Sequence, residues 1–302
     1  MIGEPIELAV HDHGGDGPPL LLIHGAARTL ADWAAVAPLL VPRHRVLAVD
    51  LRGHGRSPAG TWSLPEVLAD LQRVLETYGI PHALPVGHSL GGMLAVLHAS
   101  RHPDVTPGAV NLDGYGWGRP DQYVGLDPAY VRERLIQIRE LAQARTGLPL
   151  SADGLRELLD QQRATSEQLG IPYELLEASA VRSLRERPDG GLDVGPRREH
   201  ALEMLDTIDS LDLFALFRGA PVPQLHGRAV RPLPPVPGLD WFAALTAAYA
   251  RGLARDLAQL ASERADVTVA EIDGTHAMLL ENPRAVADAV LAFTATTNPL
   301  PE

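Results

Sequence analysis

The chain contains 302 residues, a length that suits two domains or one large α/β domain with an insertion. Its formal net charge of −12 and the lack of a basic run argue against a nucleic-acid partner, because a phosphate backbone would be repelled. The absence of cysteine excludes disulfides, thiol nucleophiles and thiolate metal sites. The N-terminal residues are too acidic for a signal peptide and no apolar stretch would cross a bilayer, which predicts a cytoplasmic protein without a membrane partner.

Apolar strands and helical patterns alternate through residue 114, as the βαβ units of a mostly parallel sheet require. The pattern predicts an α/β fold in which a twisted, mostly parallel sheet is flanked by helices. Strands are predicted at 6–10, 20–23, 46–50, 83–88, 109–114, 222–227 and 267–272, and the clearest core helices at 89–97 and 241–264.

The pentapeptide at 87–91 reads G-H-S-L-G and stands between a predicted strand and a predicted helix. Such an elbow holds its serine, here Ser89, in a strained backbone conformation, so the residues two before and two after it must be small. Gly87 and Gly91 meet that demand. The helix that follows directs its N-terminal N–H groups at an oxyanion formed on a carbonyl under attack, and Leu90 N–H would be one donor.

Two further strand ends supply partners for this serine. The strand at 20–23 runs into His24-Gly25-Ala26, where this kind of sheet places a second oxyanion donor, which we assign to Ala26 N–H. The strand at 267–272 leads to His276, a candidate general base.

Together these motifs resemble the α/β-hydrolase family, in its capped, epoxide-hydrolase-like branch. The resemblance implies a hydrolase core with an inserted helical cap. Because Ser89 occupies the nucleophile position in place of aspartate, epoxide hydrolases and haloalkane dehalogenases are disfavoured and acyl chemistry remains. The family landmarks, in family order, are His24-Gly25 with Trp33, the segment D-L-R-G-H-G-R-S at 50–57, the elbow at 87–91, and His276 followed by Glu281-Asn282-Pro283.

The acid that should orient His276 departs from the common pattern. Most relatives place an aspartate three residues beyond a glycine after the strand that follows the cap, but here that residue is Val230. Asp240 comes later, beyond a proline-rich segment, and also suits an N-cap for the predicted helix at 241–264. A minority of the family carries its acid at the end of the preceding strand, where this chain has Asp113. The sequence therefore favours Asp113, with Asp240 as the alternative.

The pattern changes between residues 115 and 217, where helical stripes appear without a convincing strand. This block is the expected cap, which divides the chain into a first core segment at 1–114, a helical cap at 115–217 and a second core segment at 218–302. The cap is expected to lie over Ser89 and to enclose an apolar cavity.

Several positions within the block suggest local roles. Ser151 suits the N-cap of one helix, Pro172 suits the start of the next, and the residues at 188–191 suit a loop. Tyr115 and Trp117 are expected to contact substrate, although a hinge into the cap is an equally good interpretation.

These roles predict a cofactor-free serine hydrolase whose partner is a small, apolar ester or lactone substrate. His276 would take the proton of Ser89, the N–H groups of Leu90 and Ala26 would stabilise the oxyanion, and Asp113 would orient the imidazole. The same residues would serve a thioesterase. They would also serve a second class of function, carbon–carbon cleavage or lyase or cyclase chemistry on a polyketide-like substrate. A third class is a receptor that has the hydrolase fold but hardly turns over. The spaced histidines and glycines form no metal-ligand or nucleotide-binding motif.

Overall fold

A seven-stranded sheet forms the centre of the structure, a computed structural model that describes residues 5–145, 147, 149–187, 191–233 and 238–297. Its strand order is β1-β3-β2-β4-β5-β9-β10, and every neighbouring pair is parallel except β1 with β3. The strands are β1 (Val10–Asp12), β2 (Leu20–Ile23), β3 (Val46–Val49), β4 (Leu84–His88), β5 (Ala109–Leu112), β6 (Pro149–Leu150), β7 (Leu184–Glu186), β8 (Leu192–Val194), β9 (Gln224–Ala229) and β10 (Val267–Ile272).

Helices cover both faces of this sheet, as the sequence predicts. Short 3₁₀ segments occur at Leu30–Trp33, Pro103–Val105 and Pro120–Gln122. The α-helices are α1 (Ala37–Leu40), α2 (Leu64–Thr77), α3 (Leu90–Arg101), α4 (Pro128–Arg145), α5 (Ala152–Leu169), α6 (Tyr173–Ser183), α7 (Arg198–Asp209), α8 (Leu213–Gly219), α9 (Phe242–Glu263), α10 (Met278–Glu281) and α11 (Pro283–Thr294).

The core is divided between the two faces of the sheet because successive residues of a strand point in opposite directions. On β2, Leu20 and Leu22 pack in the cluster that contains residues of α1 and α11. Leu21 and Ile23 pack in a second cluster with residues of α2 and α3. All four are buried, as expected for a central parallel strand that is covered on both sides.

The block at 115–217 lies at the carboxyl ends of β2 and β3. Helix α6 packs against the 3₁₀ segment Leu30–Trp33 that follows β2, and Thr29 Oγ1 lies 3.2 Å from Ser179 Oγ. Beyond β3, Arg182 Nε donates to Oδ2 of the fully buried Asp50 over 2.8 Å. These contacts hold the block on the same edge of the sheet as Ser89.

Two expectations about strands are wrong. The block at 115–217 contains a small antiparallel sheet, β6-β8-β7, whose strands of two or three residues are too short to show an alternating pattern. The strand predicted at 6–10 begins only at Val10, because side chains bind the preceding backbone: Ile6 N–H donates to Asp70 Oδ1 over 2.8 Å, and Ala9 N–H donates to Ser57 Oγ over 2.8 Å.

The local expectations within the block agree with the structure where it is described. Ser151 caps α5, since its side chain accepts from Gly154 N–H, and Pro172 immediately precedes α6. Of the loop predicted at 188–191, residues 188–190 lie outside the described residues.

Candidate active site

Ser89 stands between β4 and α3 in a conformation that few non-glycine residues adopt, with φ 53° and ψ −121°. The turn closes only because its flanking residues lack side chains. A β-carbon added to Gly87 would lie 1.9 Å from Gly91 O, and one added to Gly91 would lie 2.1 Å from Ile23 O. Ser89 N–H donates to Leu112 O over 2.8 Å, which ties the elbow to the end of β5.

Asp113 follows β5 and also has a positive φ, 54°. Asn111 fixes this turn through two side-chain hydrogen bonds with Gly114, which accepts through its carbonyl at 2.9 Å and donates through its N–H at 2.8 Å. A β-carbon on Gly114 would lie 2.3 Å from Ser89 O, so the two strand exits are packed against each other. Sequence reasoning missed the part played by Asn111, which lies within a buried strand and belongs to no motif.

The structure brings Asp113 and His276 together. His276 Nδ1 lies 2.7 Å from Asp113 Oδ2, and Ala229 N–H donates to the other carboxylate oxygen over 3.1 Å. Burial alone would raise the pKa of Asp113, but the hydrogen bond from His276 and its charge hold that pKa below its usual value. Asp113 is therefore held as a carboxylate that is hydrogen-bonded to the imidazole.

Asp240 takes neither of the roles considered for it. Nδ1 of His276 is bonded to Asp113, and Asp240 is absent from the described lining of the pocket that contains His276. It is not an N-cap either, because α9 begins at Phe242 after Trp241 and has no side-chain cap. Val230, at the position where most relatives have the acid, lines the pocket.

The turn after β2 runs beside the nucleophile, since a β-carbon added to Gly25 would lie 3.0 Å from Ser89 Cβ. Within the described part of the chain, no acceptor is assigned to the N–H of Ala26 or to that of Leu90, the first residue of α3. Neither residue belongs to the described lining of the pocket that contains Ser89.

Two buried histidines brace this turn rather than transfer protons. His24 Nδ1–H donates to Gly25 O over 2.7 Å, and its Nε2 accepts from Leu51 N–H over 2.9 Å. His54 Nδ1–H donates to Arg52 O over 3.0 Å, and its Nε2 accepts from Ala27 N–H over 3.2 Å. Burial lowers the pKa of His24 to about 4 and that of His54 to about 3, so both are neutral acceptors at neutral pH.

His88 contacts the candidate base directly, which the sequence did not indicate. Its Nε2–H donates to the carbonyl oxygen of His276 over 2.8 Å, and the two rings are 4.8 Å apart. Burial, followed by the charge on His276, lowers the pKa of His88 to about 3. The neutral ring therefore supports the loop that holds His276.

A pocket of about 430 Å³ contains Ser89, Asp113 and His276. Tyr115 and Trp117 line it, and Tyr115 is fixed because its hydroxyl donates to Gly227 O over 3.1 Å. Gly116 also lines it, and the remaining described lining comes from residues 228–233 and from helix α9 at Thr246, Ala247, Tyr249, Ala250 and Leu253.

The expected enclosure by the helices of the cap is therefore wrong for this pocket. Among its described lining residues, only Tyr115, Gly116 and Trp117 come from the block at 115–217. Helix α9 takes that place, and Tyr249 on this helix donates through its hydroxyl to Tyr115 O over 3.1 Å. Helices α4 and α7 instead line a second cavity of about 320 Å³, which shares the wall formed by residues 115–117.

A family model described as the alpha/beta hydrolase fold matches residues 18–187. The chain belongs to this family. Among curated proteins it is 38% identical over 107 residues to the fluoroacetate dehalogenase of a Burkholderia species, which covers 33% of this chain and 35% of the relative. It is 31% identical over 168 residues to the sn-1-specific diacylglycerol lipase of Mus musculus, covering 51% and 55% respectively. The matches thus span about a third to a half of these relatives.

Solved structures share the fold over nearly the whole chain. The E-2-(acetamidomethylene)succinate hydrolase aligns with a TM-score of 0.68 at 21% identity, covering 96% of this chain and 95% of the other. The enol-lactonase from Burkholderia xenovorans aligns with a TM-score of 0.61 at 23% identity, covering 95% and 96%. Among the described residues no helix is long and apolar enough to cross a membrane, and no cluster of three potential metal ligands occurs.

Proposed function

We propose that the protein is a cofactor-free serine hydrolase that cleaves a carboxylic ester or lactone through an acyl-enzyme on Ser89. The observation that supports this most strongly is that the strained elbow of Ser89 opens into the same pocket as the hydrogen-bonded pair His276 and Asp113. These are the three groups of a nucleophile, base and orienting acid, in the chain order of the fold.

In the first half of the reaction, His276 Nε2 removes the hydroxyl proton as Ser89 Oγ attacks the carbonyl carbon. The carbonyl oxygen becomes an oxyanion, which the N–H groups of Ala26 and Leu90 bind. The position of Leu90 at the start of α3 adds the positive end of the helix dipole. The tetrahedral intermediate then collapses to the acyl-enzyme, and His276 gives the proton to the leaving alkoxide.

In the second half, water replaces Ser89 as the attacking group, and His276 takes one of its protons. Collapse of the second tetrahedral intermediate releases the carboxylic acid and returns the proton to Ser89 Oγ. Throughout, Asp113 accepts a hydrogen bond from His276 Nδ1–H, which fixes the tautomer and stabilises the imidazolium.

We also propose that Tyr115 and Trp117 bind substrate and that residues 115–217, inserted between the core segments at 1–114 and 218–302, form a cap that covers the edge of the sheet near Ser89 but contributes only residues 115–117 to the wall of this pocket. The position of both aromatic residues in the pocket wall supports the first point. The anchoring of α6 to the buried Asp50 through Arg182 supports the second. Since Trp117 also borders the second cavity, it is placed to limit the length of a bound chain.

The test combines labelling with turnover of p-nitrophenyl esters of graded length and of macrolactones. A fluorophosphonate should label Ser89, and Ser89→Ala should lower kcat by about a thousandfold or more, because only binding and oxyanion stabilisation remain. The exposed Ser262 on α9 gives the matched control, Ser262→Ala, which should retain full activity. Near-normal turnover by purified Ser89→Ala would exclude the proposal, and lack of oxygen-18 from water in the products would favour lyase or cyclase chemistry.

A further inference from the structure

The catalytic pocket contains more positive charge than its chemistry requires. Its charged described lining residues are Asp113, Arg228 and Arg231. Asp113 is engaged by His276, so the two arginines are the charged groups that the mechanism leaves unused. The whole chain has a formal net charge of −12, so a pocket with two cations is not a sample of its general composition.

Arg231 has a structural explanation. It pairs with Asp273 at 3.2 Å and with Glu281 at 2.8 Å. The side chain of Glu281 is buried and also accepts from Thr275 N–H at 2.6 Å and Thr275 Oγ1 at 2.8 Å, so it fixes the residue next to His276. Two carboxylates offset the charge of Arg231, whose role is to hold the histidine loop.

Arg228 is held less completely. It lies on β9 opposite Glu271 of β10, and this carboxylate is its ion-pair partner. The side chain of Glu271 is 67% exposed, whereas that of Arg228 is only 14% exposed. Among the described residues, none accepts a hydrogen bond from Nε or Nη1 of Arg228. An exposed carboxylate contributes little to such a pair, so a second anion can share the guanidinium at small cost.

The surroundings of Arg228 strengthen its attraction for an anion. The apolar side chains of Tyr115, Val230 and Leu253 line the same pocket as Arg228, and those of Tyr115 and Leu253 are buried. Burial, followed by the charge of Asp113, raises the pKa of Tyr115, whereas the charge of Arg228 acts in the opposite sense. A planar guanidinium with free N–H groups matches the two oxygens of a carboxylate.

We propose that Arg228 binds a carboxylate of the substrate, so that the preferred substrates are esters or lactones that bear a free carboxylate within reach of the pocket. This inference rests on the proposed serine hydrolase activity. Arg228 is adjacent in the chain to Ala229, whose N–H holds Asp113, and so the anion would be bound close to the catalytic pair.

The experiment compares two esters with one leaving group, p-nitrophenyl hemiglutarate and the uncharged p-nitrophenyl hexanoate. We expect the wild-type protein to favour the hemiglutarate in kcat/KM, and Arg228→Gln to reduce the ratio of the two by about ten- to a hundredfold, the range for hydrogen bonds to a charged group. Arg228→Lys should keep part of the preference. Arg255→Gln is the matched control, because Arg255 is exposed, pairs with Asp256 and lies outside the described pocket lining.

A second readout does not depend on turnover of a charged ester. Glutarate should inhibit hexanoate hydrolysis competitively and more strongly than uncharged glutaramide, and Arg228→Gln should abolish this difference. An unchanged ester ratio in a folded Arg228→Gln protein would overturn the assignment. If that variant does not fold, a wild-type protein without preference for hemiglutarate or glutarate would overturn it equally. Failure of the serine hydrolase proposal differs visibly, because neither ester would react and Ser89 would resist the fluorophosphonate.

Discussion

The ends of β5 and β9 lie side by side at the active site and are built in opposite ways. Leu112 pairs with Gly227 in the sheet, and Asp113 N–H continues the ladder by donating to Gly227 O over 2.8 Å. Beyond this point β5 turns sharply through the clamped, largely buried Asp113. The end of β9 instead leads into Val230, which is 41% exposed.

The difference concerns the acid that we propose for catalysis, which the end of either of two neighbouring strands can supply. The usual position is apolar here, yet the backbone of β9 still takes part, because Ala229 N–H binds the carboxylate that β5 supplies. Because the end of β5 supplies the acid, the side chains at the end of β9 need not bind the imidazole of His276. Arg228 and Val230 line the pocket, where they contact the space that a substrate would fill.

The largest effect that tests this comparison is expected from Asp113→Asn. The amide keeps the shape of the carboxylate but favours the wrong tautomer of His276 and does not offset the imidazolium charge, so kcat should fall by about a thousandfold to ten-thousandfold. Steady-state kinetics with a p-nitrophenyl ester, together with circular dichroism to verify folding, provides the measurement.

Asp240→Asn is the matched control for that variant, since it makes the same chemical change at the other acid considered from the sequence. We expect kcat to stay within about twofold of wild type, because Asp240 neither bonds to His276 nor caps α9. A large loss in Asp240→Asn alongside a mild loss in Asp113→Asn would reverse the assignment of the acid.

A smaller effect is expected when the acid is moved to the other strand end. Val230 and His276 line the same pocket, so Val230→Asp in the Asp113→Asn background should recover about tenfold in kcat. The control is Val230→Asn in the same background, which adds a polar side chain without the charge. Equal activity of these two double variants, both folded, would show that the end of β9 no longer delivers a carboxylate to the imidazole.

The site residues that lie in motifs can be predicted from the sequence, because each motif meets a local requirement of the backbone. Gly87 and Gly91 indicate the elbow independently of the remainder of the chain. The acid is harder to predict, because the role of Asp113 depends on the pairing of β5 with β9. Asn111 and Arg228 lie inside strands without a motif, and their roles arise from contacts with residues distant in the chain. The wall formed by α9 was missed for the same reason, because helical periodicity does not specify where a helix packs.

The smallest expected effect concerns the buried part of β9, where His226 pairs in register with Asn111 of β5. The His226 ring is fully buried, stacks on Tyr115 at 6.1 Å between centroids, and donates through Nε2 to Gln224 Oε1 over 3.0 Å. Burial, with a contribution from the charge of Arg264, lowers the pKa of His226 to about 3 from 6.5. The folded protein therefore keeps this ring neutral at a pH where the unfolded chain protonates it.

The consequence is a pH-dependent loss of stability on the acid side. Between pH 6.5 and about 3 the unfolded state binds one more proton at His226 than the folded state. The free energy of unfolding should therefore fall as pH decreases through this window, by about 1.4 kcal/mol per pH unit from this residue. Urea unfolding at several pH values measures how the free energy of unfolding changes with pH. His226→Gln should reduce this slope by up to the contribution of one bound proton, whatever the absolute stability of the variant. Equal pH slopes of the free energy of unfolding in wild type and His226→Gln would show that water reaches the ring. Solvent would then enter between β5 and β9 along the strands as well as at their ends.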